Sequence, residues 1–128
     1  MKIVLISILL IMGLTSNAQN SMKLRVDYNL VSILNEKTSE YSIPVKHSTS
    51  FIFDYNSNQD ILMISADGEK TFFTTQRITN NLRLNEEATY TEIECINPNG
   101  KQVSFVIFDN TEFGMVMSDN KKAVHFLK

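Results

Sequence analysis

The sequence predicts an all-β fold: a small antiparallel meander of about eight to nine strands that forms a barrel or a two-sheet sandwich. Phe, Tyr, Ile, Val and Thr are abundant after residue 18, whereas alanine occurs there at only three positions. Apolar and polar residues alternate in short segments, and turn sequences rich in Asn, Asp and Gly separate them. The connections are too short for a crossover helix, so successive strands are expected to be antiparallel.

A distinct N-terminal segment precedes this domain. Lys2 gives a positive start, residues 3–14 form a largely apolar run, and Ser16 and Ala18 are the small residues that signal peptidase recognises. The run is shorter than the roughly 20 residues of a membrane-spanning helix. We therefore predict a cleaved signal peptide over 1–18, a single β domain over 19–128, no membrane span after cleavage, and a periplasmic or extracellular location.

The end of the first strand of the domain has two possible interpretations. Residues 23–30 carry an apolar side chain at every second position. This alternation is interrupted within residues 30–36, which fits either a β-bulge in a long strand or one helical turn. Residues 41–45 are predicted to form another strand, and Pro44 places that strand at a sheet edge because proline has no backbone N–H.

Turn sequences divide the remaining chain. Asn99-Gly100 and Asp67-Gly68 are two-residue hairpin signals, since both central positions of such a turn tolerate positive φ. Residues 78–87 are mostly polar and are expected to form a loop or a short strand. With the other Asn- and Asp-rich turns, these signals predict strands over 50–55, 61–66, 70–75, 89–96, 101–108, 113–117 and 123–127.

The chain has one cysteine, Cys95, within the predicted strand 89–96. Glu92 and Glu94 share one face of that strand and have to point toward solvent, so Ile93 and Cys95 are expected to point inward. A single cysteine allows no internal disulfide, and the fold must be stabilised by packing alone. Cys95 is accordingly predicted to be a small buried core residue rather than a redox or catalytic group.

Several predicted strands are apolar on both faces, which a sheet with one solvated face does not require. A second sheet, the N-terminal segment, a partner chain or a ligand could cover the additional face. As a barrel, the domain resembles lipocalins in architecture alone, because the chain lacks tryptophan and any lipocalin motif. In that arrangement, an apolar ligand is expected to contact Phe51, Phe53, Met63, Phe105, Met115 and Met117.

One group of side chains has the i, i+2, i+4, i+6 spacing of the oxygen ligands in a calcium loop: Asp54, Asn56, Asn58 and Asp60. The sixth loop position is Gln59 instead of glycine, and the twelfth is Ser65 instead of glutamate. Strands, not helices, are predicted on both sides. We therefore expect an ordinary turn built from Asx residues and no metal.

Other catalytic or metal-binding patterns are weak. His47 and His125 have no spacing typical of a metal site, and the Glu92/Glu94 pair is typical of a solvated strand face. The sequence contains no nucleophile elbow, phosphate loop, dinucleotide fingerprint or zinc spacing. No cofactor is expected, and an enzyme is the least favoured class of function.

Charge and size leave two principal function classes. The chain has 12 Lys and Arg against 14 Asp and Glu, a net charge of −2, and it becomes more negative when Lys2 is removed with the signal peptide. Such a balance argues against nucleic-acid binding. The leading prediction is a non-enzymatic protein-interaction module that binds another protein or a second copy of itself. The alternative is a lipocalin-like carrier of a small apolar ligand.

Overall fold

The computed structural model describes residues 24–128, and the predicted signal peptide lies outside them. Nine strands form the fold: β1 Leu24–Asn35, β2 Glu40–Tyr41, β3 Val45–Phe53, β4 Ile61–Ser65, β5 Lys70–Arg83, β6 Thr89–Ile96, β7 Gln102–Phe108, β8 Met115–Ser118 and β9 Ala123–Leu127. A single 3₁₀ turn, Thr111–Phe113, is the helical element of this part of the chain. Residues 24–128 contain no helix with the length and hydrophobicity required to cross a membrane.

The strands form a closed antiparallel barrel, one of the two predicted architectures. The strands from β3 to β9 pair in chain order, and β1 joins β3 on one side and β9 on the other. This closure leaves eight strands in the barrel, while β2 adds a short ninth strand to the end of β1. The predicted all-β meander of eight to nine strands is confirmed, and of the two predicted architectures the strands form the barrel.

The first strand, β1, runs without a helical turn through residues 30–35. Its pairing with β3 shifts register between Tyr28 and Leu30, as the bulge alternative predicts. Tyr28 is buried before this irregularity, and Val31 is buried after it. The shift keeps apolar side chains inside the barrel on both sides of the interruption in the sequence pattern.

The predicted strand over 41–45 is divided. β2 ends at Tyr41 and β3 begins at Val45, because Ser42 to Pro44 leave the ladder. Ser42 still holds this segment to β1: its carbonyl accepts a hydrogen bond from Ser32 Oγ, and its Oγ accepts one from the Ile33 N–H at 3.0 Å. Pro44 supplies no N–H, which accounts for the break.

β5 is longer than predicted, since it continues through residues that the sequence suggested were a loop or short strand. Its pairing with β6 shifts register twice, between Thr75 and Arg77 and between Thr79 and Leu82. Asn81 adopts a positive φ of 58° within the second irregularity. Backbone pairing to β6, which polarity does not reveal, extends this strand to Arg83.

The two glycine hairpins differ from the predicted two-residue turns. In 97–100 the Gly100 N–H donates to the Asn97 carbonyl at 2.9 Å, and in 65–68 the Gly68 N–H donates to the Ser65 carbonyl at 2.9 Å. Each glycine has positive φ, whereas the preceding Asn or Asp does not. Glycine therefore occupies the last turn position, and the reverse turn is centred one residue earlier.

The barrel interior is a continuous core of aromatic and aliphatic side chains. Phe51 packs edge-to-face on Phe105 and Phe126, with ring centroids 5.9 and 5.0 Å apart. Phe105 also contacts Phe73 at 5.1 Å. Cys95 lies among these residues with 1% of its surface exposed, so its predicted core position is confirmed.

The outer face of β3, β4 and β5 carries some of the apolar residues that make these strands apolar on both faces. Ile52, Leu62 and Phe72 lie in register across these three strands. Leu62 is buried although it points away from the core, and the Tyr55 ring packs edge-to-face on Phe72 at 5.0 Å. Neighbouring side chains thus cover part of the second apolar face without another sheet.

Candidate functional site

The six residues predicted to contact an apolar ligand are brought together inside the barrel. Four of them are buried, and the two methionines Met63 and Met117 are partly buried against the same core. Phe51, Phe105 and Met115 have no exposed surface. These side chains fill the centre of the barrel by contacting one another, as expected for eight strands. Space for a ligand therefore has to lie toward an end.

The upper end of the barrel carries the connections 36–39, 66–69, 97–101 and 119–122. An open cavity of about 360 Å³ lies there, and we call it the mouth. Its apolar walls come from inward-facing positions at the ends of β5, β7, β8 and β9, and its rim comes from two hairpins. The principal wall residues are Phe73, Val103, Met117 and Val124, joined by Thr71.

Charge at the mouth is arranged around Asp119. The backbone N–H groups of Lys121 and Lys122 donate to Asp119 Oδ1 at 2.7 and 2.9 Å. These bonds lower the pKa of the Asp119 carboxyl, helped by the positive charges of Lys122 and Lys101. The carboxylate is thus engaged by its own turn, and the positive charges of Lys122 and Lys101 act on it.

A second surface lies beside the mouth on the β1–β2 hairpin and the residues that follow it. We call it the hairpin surface, and it consists of the exposed apolar side chains of this segment: Ile33, Tyr41, Ile43 and Val45, with 51, 42, 86 and 57% exposure. The pairing registers place Ile33 on the face of the mouth and Tyr41 on the opposite face, beside His125. Ile33 pairs with Val124 across β1 and β9, so the hairpin surface adjoins the mouth. Large apolar side chains grouped in this way are typical of contact surfaces.

His125 supports the base of the hairpin surface. The Tyr41 ring packs on the His125 ring with centroids 5.6 Å apart. On the other side, His125 Nε2 lies 2.6 Å from the Phe113 carbonyl oxygen, a hydrogen bond in which the ring N–H donates. Both contacts give the histidine a structural role in holding β2 over β9.

A polar groove lies outside the barrel next to the mouth. It has a volume of about 580 Å³ and is lined mainly by Lys101, Gln102, Ser104, Ser118 and Lys121. Ser104 and Ser118 are paired across β7 and β8. Ser118 and Asp119 line both this groove and the mouth, which places the lysines of the groove close to the mouth's rim.

The residues with calcium-loop spacing form a hydrogen-bonded turn at the lower end. Asn56 Nδ2 and Asn58 Nδ2 donate to the two oxygens of Asp60 at 2.9 and 2.7 Å, and the Thr75 N–H donates to Asp60 Oδ1 at 2.9 Å. Burial raises the pKa of Asp60, but these hydrogen bonds together outweigh it and lower the pKa. Asp54 has a positive φ of 52° and takes no part in these bonds.

Other reactive groups are held in structural contacts. Among residues 24–128, no three His, Cys, Asp or Glu side chains are grouped so as to bind a metal ion. Glu94 accepts a hydrogen bond from Arg77 Nε at 2.7 Å. Burial raises the pKa of the Cys95 thiol to about 11, although its contact with Thr75 Oγ1 at 3.7 Å acts in the opposite direction.

The sequence predicted the inner wall of the barrel and a sheet edge near Pro44, where the hairpin surface lies, but it did not predict the mouth. The mouth needs Phe73, Val103 and Val124, which are inward residues close to the upper turns. Their alternation with outward residues was visible, but their convergence depends on barrel closure. The signal for the hairpin surface was an isoleucine directly before Pro44, where a strand cannot continue.

Comparisons with known proteins add no family or relative to the fold described above. No protein-family model matches the chain, and no curated protein or solved structure matches it significantly.

Proposed function

We propose that this protein is a non-enzymatic interaction module that is exported and binds a protein partner through the hairpin surface. The observation that carries the proposal is the exposure of four large apolar side chains within one short segment at one end of the barrel, with Tyr41 and Ile43 at its edge strand: Ile33, Tyr41, Ile43 and Val45. Apolar side chains exposed to this extent cost solvation free energy that a bound partner would recover.

The backbone beside these side chains favours an extended partner. β2 is paired with β1 along one edge, and its other edge has no neighbouring strand in the described chain. An extended segment can add to such an edge through main-chain hydrogen bonds, with apolar side chains supplying contact area. Pro44 limits the length of that added pairing, so side-chain contacts with Ile43 and Tyr41 would dominate.

Hydrogen bonds and a ring contact hold the hairpin against the barrel. The two hydrogen bonds to Ser42 hold the segment on β1, and His125 supports Tyr41 from below. A preformed surface loses less conformational entropy on binding than a mobile loop does. This rigidity supports recognition by the hairpin itself rather than by a disordered tail.

The proposal is tested on protein recovered from the exported fraction of a bacterial host by comparing Ile43→Asp with Leu84→Asp. Leu84 is 63% exposed in the lower connection 84–88 and provides a matched control. We expect native mass spectrometry to show a complex for the wild type and for Leu84→Asp, and about tenfold less of it for Ile43→Asp. A complex of twice the chain mass identifies a second copy as the partner.

Two outcomes would reject this function. A chain that remains in the cytoplasm argues against an exported module. A monomer for all three proteins, or equal loss of the complex in both variants, removes the hairpin surface as the binding site.

A further inference from the structure

The mouth differs from the rest of the barrel interior because its inward-facing apolar residues are incompletely covered. Phe73 and Val103 are buried at 4 and 7% exposure and form its floor, whereas Met117 and Val124 are only partly buried. The centre of the barrel is filled below them. A ligand would therefore rest on the upper layer of the core without entering the barrel.

The mouth and the adjoining polar groove together carry more lysines than acidic residues. Lys122 lines the mouth, and Lys101 and Lys121 line the adjoining groove. Among the residues that line the mouth or the groove, Asp119 is the one that is acidic. Its Oδ1 already accepts hydrogen bonds from two backbone N–H groups. Neither ion pair found in residues 24–128 includes these lysines. The linings of the two cavities thus contain three lysines and one carboxylate, and that carboxylate is already engaged by its own turn.

An apolar floor with lysines at its edge and in the adjoining groove suits an amphiphile in both polarity and charge. We propose that the mouth binds a small anionic amphiphile, with its hydrocarbon chain against Met117 and Val124 and its carboxylate at Lys122. A cavity of about 360 Å³ is at the small end of ligand pockets, which favours one medium-length chain over a bulky ring system. This proposal does not rest on the function proposed for the hairpin surface, although the two surfaces adjoin at Ile33 and Val124.

Isothermal titration of the full chain, recovered from the exported fraction, tests this proposal with three probes of equal chain length. Decanoate, decanol and decyltrimethylammonium are used below the concentrations at which they form micelles. We expect saturable binding of one decanoate, weaker binding of decanol and no measurable binding of the cation. Vesicles containing anionic phosphatidylglycerol are included to distinguish a free amphiphile from a membrane surface, and we expect no cosedimentation.

Charge-reversal variants locate the carboxylate. Lys122→Glu is expected to weaken decanoate binding about tenfold and to leave decanol binding unchanged, because the change replaces an attraction to the carboxylate with a repulsion. Lys128→Glu makes the same change in charge at the lower end of the barrel and is expected to have no effect. Both positions are exposed, so neither variant is expected to disturb folding.

A second pair of variants locates the hydrocarbon chain. Met117→Gln is expected to weaken decanoate and decanol alike, whereas Val116→Gln changes the neighbouring outward residue of β8 and is expected to weaken neither. The proposal is overturned if decanoate fails to saturate, if the cation binds equally well, or if vesicles bind in place of decanoate. Equal effects of the changes at Lys122 and Lys128 would also overturn it.

Discussion

Gly114 lies directly against the backbone of Phe126. A Cβ atom placed on Gly114 would lie 2.0 Å from the Phe126 carbonyl oxygen and 3.2 Å from its carbonyl carbon. Gly114 also has a φ of 69° and a ψ of −140°, a conformation that other residues rarely adopt. This close approach lets the chain leave the 3₁₀ turn and enter β8 beside β9.

Replacing Gly114 with alanine is expected to destabilise the barrel by about 3 kcal/mol or more, since backbone strain and the clash with Phe126 act together. Gly68→Ala is the control, because Gly68 has positive φ but open space around its Cβ position. Its cost should be about 1 kcal/mol. Urea denaturation followed by circular dichroism measures both, and equal losses would show that the close approach is unimportant.

The buried thiol predicts a loss of stability at alkaline pH. Desolvation raises the pKa of Cys95 from its ordinary value of 9.0 to about 11. Between those values the unfolded chain releases the thiol proton while the folded chain retains it, so the free energy of unfolding falls as pH rises. The loss should reach about 2 kcal/mol at pH 11.

Cys95→Ala isolates that contribution. Denaturation of this variant and of the wild type is compared at pH 7, 9 and 11, and the difference in slope is the quantity of interest. We expect the variant to be less stable at pH 7 and to lose less stability above pH 9. Parallel profiles would mean that the thiol titrates equally in both states. Rapid labelling of the native thiol at pH 8 would contradict its burial.

The Asp60 turn is expected to matter more than an ordinary hairpin turn. Asp60→Ala removes the acceptors for Asn56, Asn58 and Thr75 and should cost about 2 kcal/mol. Asp67→Ala removes one bond, from the Glu69 N–H, and should cost less than about 1 kcal/mol.

The pH dependence of the Asp60 variant gives a second test. Because the pKa of Asp60 is lowered on folding, its contribution is present above about pH 4 and is lost as pH falls further. The difference in stability between wild type and Asp60→Ala should therefore shrink in acid. A difference that persists unchanged at pH 2 would assign the effect to something other than the carboxylate.

The aromatic core gives the largest expected effect. Phe105 is fully buried and contacts two other rings, so Phe105→Ala should cost about 3–5 kcal/mol. Phe113→Ala removes a ring that is 40% exposed and should cost below about 1 kcal/mol. Thermal and urea unfolding measure both changes. Similar losses would mean that the interior is less tightly packed than its burial indicates.

Local patterns were sufficient for the strands whose two faces differ. In β6 the alternation of Glu92 and Glu94 with Ile93 and Cys95 predicted the strand, its bounds and its inward face. β5 was predicted too short because Arg77, Asn80 and Asn81 obscure any alternation. Its length depends on the ladder to β6, which includes the ion pair of Arg77 with Glu94. That pairing is a property of the tertiary fold.

The same distinction applies to the candidate sites. Inward methionines could be predicted from strand alternation, and Met117 does line the mouth. The rim could not be predicted, because the hairpins that carry Asn97 and Lys122 meet the Phe73 wall of the mouth only when the sheet curves into a barrel. Closure depends on the pairing of β1 with β9, and no local signal distinguishes that pairing from the packing of two separate sheets.

The pairing of Val31 with Phe126 has a consequence for biosynthesis. These residues come from the first and last strands of the described chain, so a ribosome completes the seam of the barrel only after β9 has emerged. Until then β1 and β8 each lack a neighbour, and long-range pairing of this kind is slow. A nascent chain with this topology therefore cannot close its barrel until β9 has been synthesised.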